Sequence, residues 1–507
     1  MTATLSLDDD QLPISSARWR PSAPALLALG GFALFVVLVL TRATALLEPD
    51  DYAYRASIVA LSHGHIVLTN AQYNALNRQL ASSGGQGILQ WHHLTSGKWI
   101  SEKNPGYPFF AVLFYLLGLL RVTPLFYGAL ACAGLYAGAK AWAGRWAGTY
   151  AVWLFCFSGA AITFAWRDTM PSFTDASLIA AGFGTLLWSM LSHDASGRRR
   201  LVVGLLGFLA LEGAVFIRYT NVIELLVAIA GVLAFARAAR LPWRTVGIWL
   251  STAVIFALGV LAFDQWAYGK ATSTGYSPGE ITFSLSALWP NLKGMPKELT
   301  TSMPFWILAG AACIVIAIRF LVARNGATRS DDERVAVRRD ATVGLVLALG
   351  WLSLWFLYLA YTWTVSQVGG GHSGGPAGAG LTVHVIRFYL PALGLIALLG
   401  AWLLARLGRF LPWVIAAGLV LAAVLSFHSM ASSGSLGAGP NGGFPGTHYF
   451  GPPTPSSTKA KQNGGPAGPG GPGGSGGPGA QSGPSGNGFP PTGGGFVTPP
   501  TSSSSPG

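Results

Sequence analysis

The chain has 507 residues, of which 51% are hydrophobic and 10% charged, and its mean hydropathy is +0.47. It is too apolar and too poor in charge for a soluble domain, so a polytopic membrane protein is expected. The formal net charge of +13 is not gathered on one surface but falls in small clusters between apolar runs. That pattern argues against nucleic acid as a partner and for basic loops kept in the cytoplasm. Cys132, Cys156 and Cys313 all lie inside apolar runs, where they read as small core packers and not as a disulfide framework.

Residues 1 to about 23 are polar, with Asp8 to Asp10 followed by Arg18 and Arg20, and form a cytoplasmic N-terminal segment. The apolar run from about Ala23 to Leu40 is long enough to span. Ala43-Thr44-Ala45 mimics a signal cleavage site, but the run is longer than a usual signal core and its leader carries acids. An uncleaved first helix running outward is therefore expected. A polar external loop, residues 45 to 104, follows, with helix-compatible stretches at Tyr52 to Leu61 and Gln72 to Leu80. Asn104-Pro105-Gly106-Tyr107-Pro108 then leads into the apolar run Phe109 to Leu120.

The positive-inside rule sets the rest. Lys140 with Arg145, Arg198 to Arg200, Arg237 with Arg240 and Arg244, Arg319 to Arg339, and Arg406 with Arg409 should all be cytoplasmic. That holds only if Phe109 to Leu120 enters from outside without crossing, as a tilted or re-entrant helix opened by its prolines. The remaining runs then alternate, giving an all-α protein of about eleven transmembrane helices with external juxtamembrane helices. Asp50, Asp51, Arg167, Asp168, Asp175, Arg218, Tyr276, Glu280, His372, His384 and Arg387 come out near the external face, which predicts a charged cavity there. Residues 429 to 507 are Gly, Pro, Ser and Thr with hardly a charge, and are expected to be a disordered external tail.

Within that cavity the stretch Glu48-Pro49-Asp50-Asp51 stands out, because adjacent carboxylates at the mouth of an apolar bundle are costly to desolvate and should face water, a metal or a substrate that needs a base. The bland alternative is that they cap a loop helix. Arg218 and Arg387 are single arginines at the external ends of apolar helices, suited to a phosphate or to snorkelling at a lipid headgroup. Lys103 is either a third phosphate ligand or a solvated loop charge. Arg167 beside Asp168 suggests an ion pair, and Asp175 at a helix start suits the dipole. His63, His65, His92 and His93 match no recognisable zinc spacing. The glycine loop 369 to 375 has no P-loop lysine and reads as a flexible external loop.

Five stretches together resemble the GT-C glycosyltransferases, in particular bacterial members similar to dolichyl-phosphate-mannose protein mannosyltransferases and aminoarabinose transferases. They are Glu48-Pro49-Asp50-Asp51, Lys103 to Pro108, Arg167-Asp168-Thr169-Met170-Pro171 with Asp175, Tyr268 to Tyr276, and Arg387-Phe388-Tyr389-Leu390-Pro391. The resemblance covers residues 24 to 428. It implies transfer of a sugar from a polyprenyl-phosphate lipid to an extracytoplasmic glycan, lipid or protein, in the plasma membrane. It also implies Asp51 or Asp50 as base, with Asp168 in the same catalytic group, Arg387, Arg218 and Lys103 at the donor phosphate, and Tyr107, Tyr276 and Asp175 lining the cavity. A divalent metal cofactor is left open. The chain departs from the family in having Asn104-Pro105-Gly106 where a His-Pro-Pro form occurs and in lacking a large soluble C-terminal domain, so the acceptor stays undetermined. The alternative is a transporter or flippase for a polyprenyl-linked or anionic substrate, which would carry its charge near mid-membrane on broken helices.

Overall fold

The computed structural model describes residues 22–41, 49–82, 87–94, 96–192, 196–238, 241–276, 281–325, 330–364, 385–408 and 411–432. Glu48, Glu280, His372, His384, the glycine loop and the tail beyond residue 432 lie outside them.

The first apolar run becomes α1 (Ala23–Leu40), and the loop after it carries α2 (Pro49–Ser62) and α3 (Asn70–Ser82), matching the two helix-compatible stretches. It also carries β1 (Val67–Thr69), β2 (Trp91–His93) and β3 (Lys98–Ser101), an antiparallel sheet in the order β1-β3-β2 that the sequence reading did not contain. Val67 pairs with Ile100 and Trp91 with Ser101. Strands of three and four residues are too short to show a period of two, so the pattern was invisible. Ala56, Val59, Leu68, Leu76, Leu80 and Trp91 give this loop unit its own small core.

α4 (Gly106–Leu116) is 11 residues, about 16 Å, roughly half of the hydrocarbon core. Just beyond it, Arg121 donates to the carbonyl oxygen of Leu40 at 2.8 Å, at the C-terminal end of α1. The helix therefore turns back toward the side it came from, as the alternation of basic loops requires.

The bundle continues with α5 (Thr123–Ala143), α6 (Arg145–Cys156), α7 (Gly159–Trp166), α8 (Ser172–Leu191), α9 (Gly197–Ile217), α10 (Val222–Ala238) and α11 (Trp243–Tyr268). It closes with α12 (Leu288–Ser302), α13 (Trp306–Asn325), α14 (Asp331–Leu359), α15 (Leu393–Leu404) and α16 (Leu411–Ser432). Eight of the described helices are long and apolar enough to cross a membrane, or nine when α6 and α7, bent by 61°, count as one span. Leu390–Leu404 and Leu411–Ala422 are shorter apolar helices, and they are where the expected eleven and the observed count differ.

Burial separates centre from rim. The apolar window of α8 is 89% buried, while those of α11 and α13 are 17% buried, so α8 is the axis and the latter two present apolar faces outward. Cys132 and Cys156 are buried free thiols within this packing. The sharp starts have local causes. Ser158 accepts a hydrogen bond from the backbone N–H of Ala161 at 3.0 Å, restarting the helix as α7 after the bend. Ser330 accepts from Glu333 N–H at 3.3 Å, and Asp331, Asp332 and Glu333 place negative charge at the positive end of α14.

Candidate active site

The charged groups named from the sequence converge at one end of the bundle. α2 begins at Pro49, so Asp50 and Asp51 both occupy its first turn, where acids favour the dipole. Consecutive residues on a helix point about 100° apart. The two carboxylates therefore face different surroundings. Asp51 is fully buried, takes an ion pair from Arg167, and accepts from Thr169 Oγ1 at 2.9 Å. Asp50 is 18% exposed and meets Lys103 Nζ at 3.1 Å on Oδ1 and Arg387 Nη1 at 2.7 Å on Oδ2.

Three local features bring Lys103 there. β3 ends at Ser101, whose Oγ accepts from the Lys103 N–H at 3.1 Å and fixes the turn that follows. Gly106 then allows α4 to start against α9, because a Cβ at that position would lie 2.3 Å from the backbone carbon of Phe216. Gly275 does the same for the segment after α11, where a Cβ would lie 2.5 Å from the Glu102 Cα. That approach brings Tyr276, whose hydroxyl accepts from Lys103 Nζ at 3.3 Å while its ring lies 4.8 Å from the ammonium. Burial opposes the charge of Lys103, but Asp50, Tyr276 and Glu102 outweigh it and hold the ammonium well above its ordinary pKa. Glu102 Oε1 is 3.5 Å from Lys103 Nζ, and its Oε2 is 3.1 Å from His92 Nε2.

The two arginines form the opposite wall. Arg387 lies 4.8 Å from the Phe388 ring and 5.7 Å from that of Trp363. Arg218 donates to the Arg387 carbonyl at 3.2 Å and holds Asp175 at 3.6 Å. Asp175, fully buried in the first turn of α8, also accepts from Asn221 Nδ2 at 2.5 Å. It sits one layer below the mouth and not on the open surface. Tyr107, expected in the cavity, is fully buried, and its hydroxyl donates to the carbonyl oxygen of Asp168. Arg167 faces Asp51, not Asp168 as its neighbour in sequence suggested.

Asp168, in the loop between α7 and α8, is an acid with a displaced titration. Burial first, and the nearby Asp51 carboxylate second, push it up from 3.8 to about 6. Between those values the folded chain binds more protons than the unfolded one, so this group's contribution to stability is greatest at low pH and falls as pH rises through the window. Asp168→Asn is therefore expected to melt above wild type at pH 7 and to converge with it near pH 4. Thermal unfolding of both proteins across that range checks this.

Glu102, Thr169, Asn221 and Phe388 belong to the site with no role expected for them from the sequence, and His92, weighed there as a metal ligand or a solvated loop residue, faces Glu102. His92 and Glu102 meet only through the unforeseen turn after the sheet; Thr169 and Phe388 lie inside quoted motifs, beside residues that drew attention first. His63 Nδ1 lies 2.8 Å from the Val59 carbonyl and His65 Nε2 3.0 Å from Gln72 Nε2, so both histidines have local partners. Among the described residues no three His, Cys, Asp or Glu side chains come together as a metal site. The carboxylates nearest the mouth do not fit one either, since their partners are already cations: Lys103 and Arg387 on Asp50, Arg167 on Asp51.

Beside Lys103 a shallow, open recess lies between the three-stranded sheet, α4 and α11, walled by Trp91, Ile100, Phe109, Phe263 and Tyr268. Fold and site together define a multi-pass membrane protein with a charged pocket at one end of its helices and an apolar recess beside it.

Compared with known protein families and with curated proteins, the sequence matches none. Among solved structures the chain is similar to ArnT from Cupriavidus metallidurans bound to undecaprenyl phosphate, with 14% identity, 81% of this chain and 72% of that one covered, and a TM-score of 0.45. It is also similar to the archaeal oligosaccharyltransferase AglB from Archaeoglobus fulgidus in complex with an inhibitory peptide and a dolichol-phosphate, with 11% identity, coverage of 82% and 56%, and a TM-score of 0.45. The chain thus spans little more than half of that second protein.

Proposed function

We propose that the protein is an integral-membrane glycosyltransferase that moves a sugar from a polyprenyl-phosphate-linked donor to an extracytoplasmic acceptor, with Asp50 as base. The observation that carries this is the triad at the mouth: a partly exposed carboxylate held between Lys103 at 3.1 Å and Arg387 at 2.7 Å. In the reaction an acceptor hydroxyl oxygen attacks the anomeric carbon, the bond from that carbon to the phosphate oxygen breaks, and the hydroxyl proton passes to Asp50. The departing polyprenyl phosphate gains one negative charge, which Lys103, Arg387 and Arg218 are suited to receive.

The same cations serve two anions in turn. A donor phosphate draws Lys103 and Arg387 toward itself and leaves an Asp50 oxygen open to the acceptor hydroxyl. Donor binding and exposure of the base are thereby coupled. The aromatic recess beside Lys103 supports a lipid-linked donor, since an apolar wall ending at an ammonium matches a prenyl chain ending at a phosphate. Asp51, buried against Arg167, suits the role of holding α2 in place. The donor role is tested by Arg387→Gln in steady-state transfer kinetics. The apparent KM for the donor should rise about tenfold or more, the scale of one charge-assisted hydrogen bond, with a smaller change in acceptor KM. An unchanged donor KM would remove Arg387 from the phosphate site.

A further inference from the structure

A second charged cluster lies at the opposite end of the bundle. Asp340 sits in α14 where the polar first turns give way to the apolar run from Ala341. Its carboxylate is 5% exposed and gathers Arg406 Nη2 at 3.0 Å, Arg319 Nη1 at 3.5 Å and Arg339 Nη2 at 3.7 Å. Trp142 Nε1 adds a hydrogen bond at 3.1 Å. Among the described residues the cluster holds one carboxylate and three guanidiniums, a formal surplus of two positive charges. A simple latch between helices has no use for that surplus, because each added arginine repels the others.

The arginines also have capacity to spare. Their side chains are 31%, 37% and 35% exposed for Arg406, Arg319 and Arg339. Arg319 gives Asp340 one long hydrogen bond at 3.5 Å and Arg339 an ion pair at 3.7 Å, so each guanidinium keeps donors beyond the one that faces Asp340. The Arg406 guanidinium lies 3.8 Å from the Trp402 ring, which stacks on Trp142 at 6.0 Å. The ends of α5 and α15 and the polar-to-apolar step of α14 mark the depth of lipid headgroups. The basic clusters on these helix ends make that face cytoplasmic.

We propose that Arg319, Arg339 and Arg406, spaced by Asp340, form a binding site for a phosphate-bearing anion at the cytoplasmic headgroup level, carried by an anionic lipid or by a soluble phosphate compound. The surplus of two charges matches a phosphate, and three guanidiniums around one buried anchor supply donors to several of its oxygens. This site is independent of the transfer chemistry at the other face.

The test is thermal unfolding of the full-length detergent-purified protein titrated with dioleoyl phosphatidate, with phosphatidylcholine, and with inorganic phosphate against chloride at equal ionic strength. A saturable upward shift is expected with a phosphate anion and not with phosphatidylcholine or chloride. Its apparent affinity should fall about tenfold or more in Arg319→Gln, the loss of one charge-assisted contact. Asp340→Asn, which removes the competing carboxylate, should bind the same anion more tightly than wild type. Phosphatidate binding that inorganic phosphate does not displace assigns the site to a lipid; displacement by millimolar phosphate assigns it to a soluble compound. The proposal is overturned if wild type and Arg319→Gln shift equally, or if Asp340→Asn loses both stability and the anion response, the behaviour of a plain latch.

Discussion

Asp50→Asn should lower sugar transfer by about a hundredfold or more, up to about 10⁴-fold, the range lost when a positioned general base is removed. Stability should change little. Asp50 is partly exposed, the amide oxygen still accepts from Lys103 or Arg387, and Lys103 keeps Glu102 at 3.5 Å and Tyr276 at 3.3 Å. The measurement is transfer of labelled sugar from polyprenyl-phosphate donors in membranes with matched protein levels, paired with a melting curve. Loss of activity together with loss of folded protein would mean that the carboxylate holds the fold and not the proton.

Asp51→Leu should behave in the opposite way. Arg167 is 1% exposed and Asp51 0%, so removing the carboxylate leaves a buried guanidinium without its counter-charge, at a cost of about 3–5 kcal/mol. Thr169 loses its acceptor in the same step. The double substitution Asp51→Leu with Arg167→Met should recover most of that loss, because two apolar side chains of similar volume replace a desolvated pair. Denaturant melts of the two single variants and the double variant measure the coupling. A fully stable Asp51→Leu protein that has lost a hundredfold of its transfer rate would instead make Asp51 the base.

The contrast between these neighbours shows what the sequence could and could not convey. Apolar run lengths and basic clusters were enough to place Asp50, Lys103, Asp168, Arg218 and Arg387 at one end, because membrane thickness and the positive-inside rule constrain every helix at once. The alternation also led to the expectation that the run after Pro108 stays short of a full crossing, and α4 there has 11 residues. The division of labour between Asp50 and Asp51 did not follow, since it depends on the phase of α2 about its axis, and one residue of phase is about 100°. The partner of Arg167 was equally out of reach: Asp168 is adjacent in sequence, while Asp51 is adjacent only after packing. The external sheet, whose end aims Lys103, has strands of three and four residues and leaves too short a trace to detect. Gly106 and Gly275 lie inside the motifs, yet the reason for them, backbone approach to Phe216 and Glu102, exists only in the tertiary fold.

The most direct test of the central claim is to supply purified wild-type protein in proteoliposomes with a panel of polyprenyl-phosphate sugars, each labelled in both sugar and lipid, and to follow the two labels separately. Transferase activity predicts that one donor loses its sugar label to an acceptor while the lipid label stays in the membrane as polyprenyl phosphate. If both labels stay joined with every donor and move together from one leaflet to the other, the protein is a lipid transporter and the Asp50 chemistry is wrong.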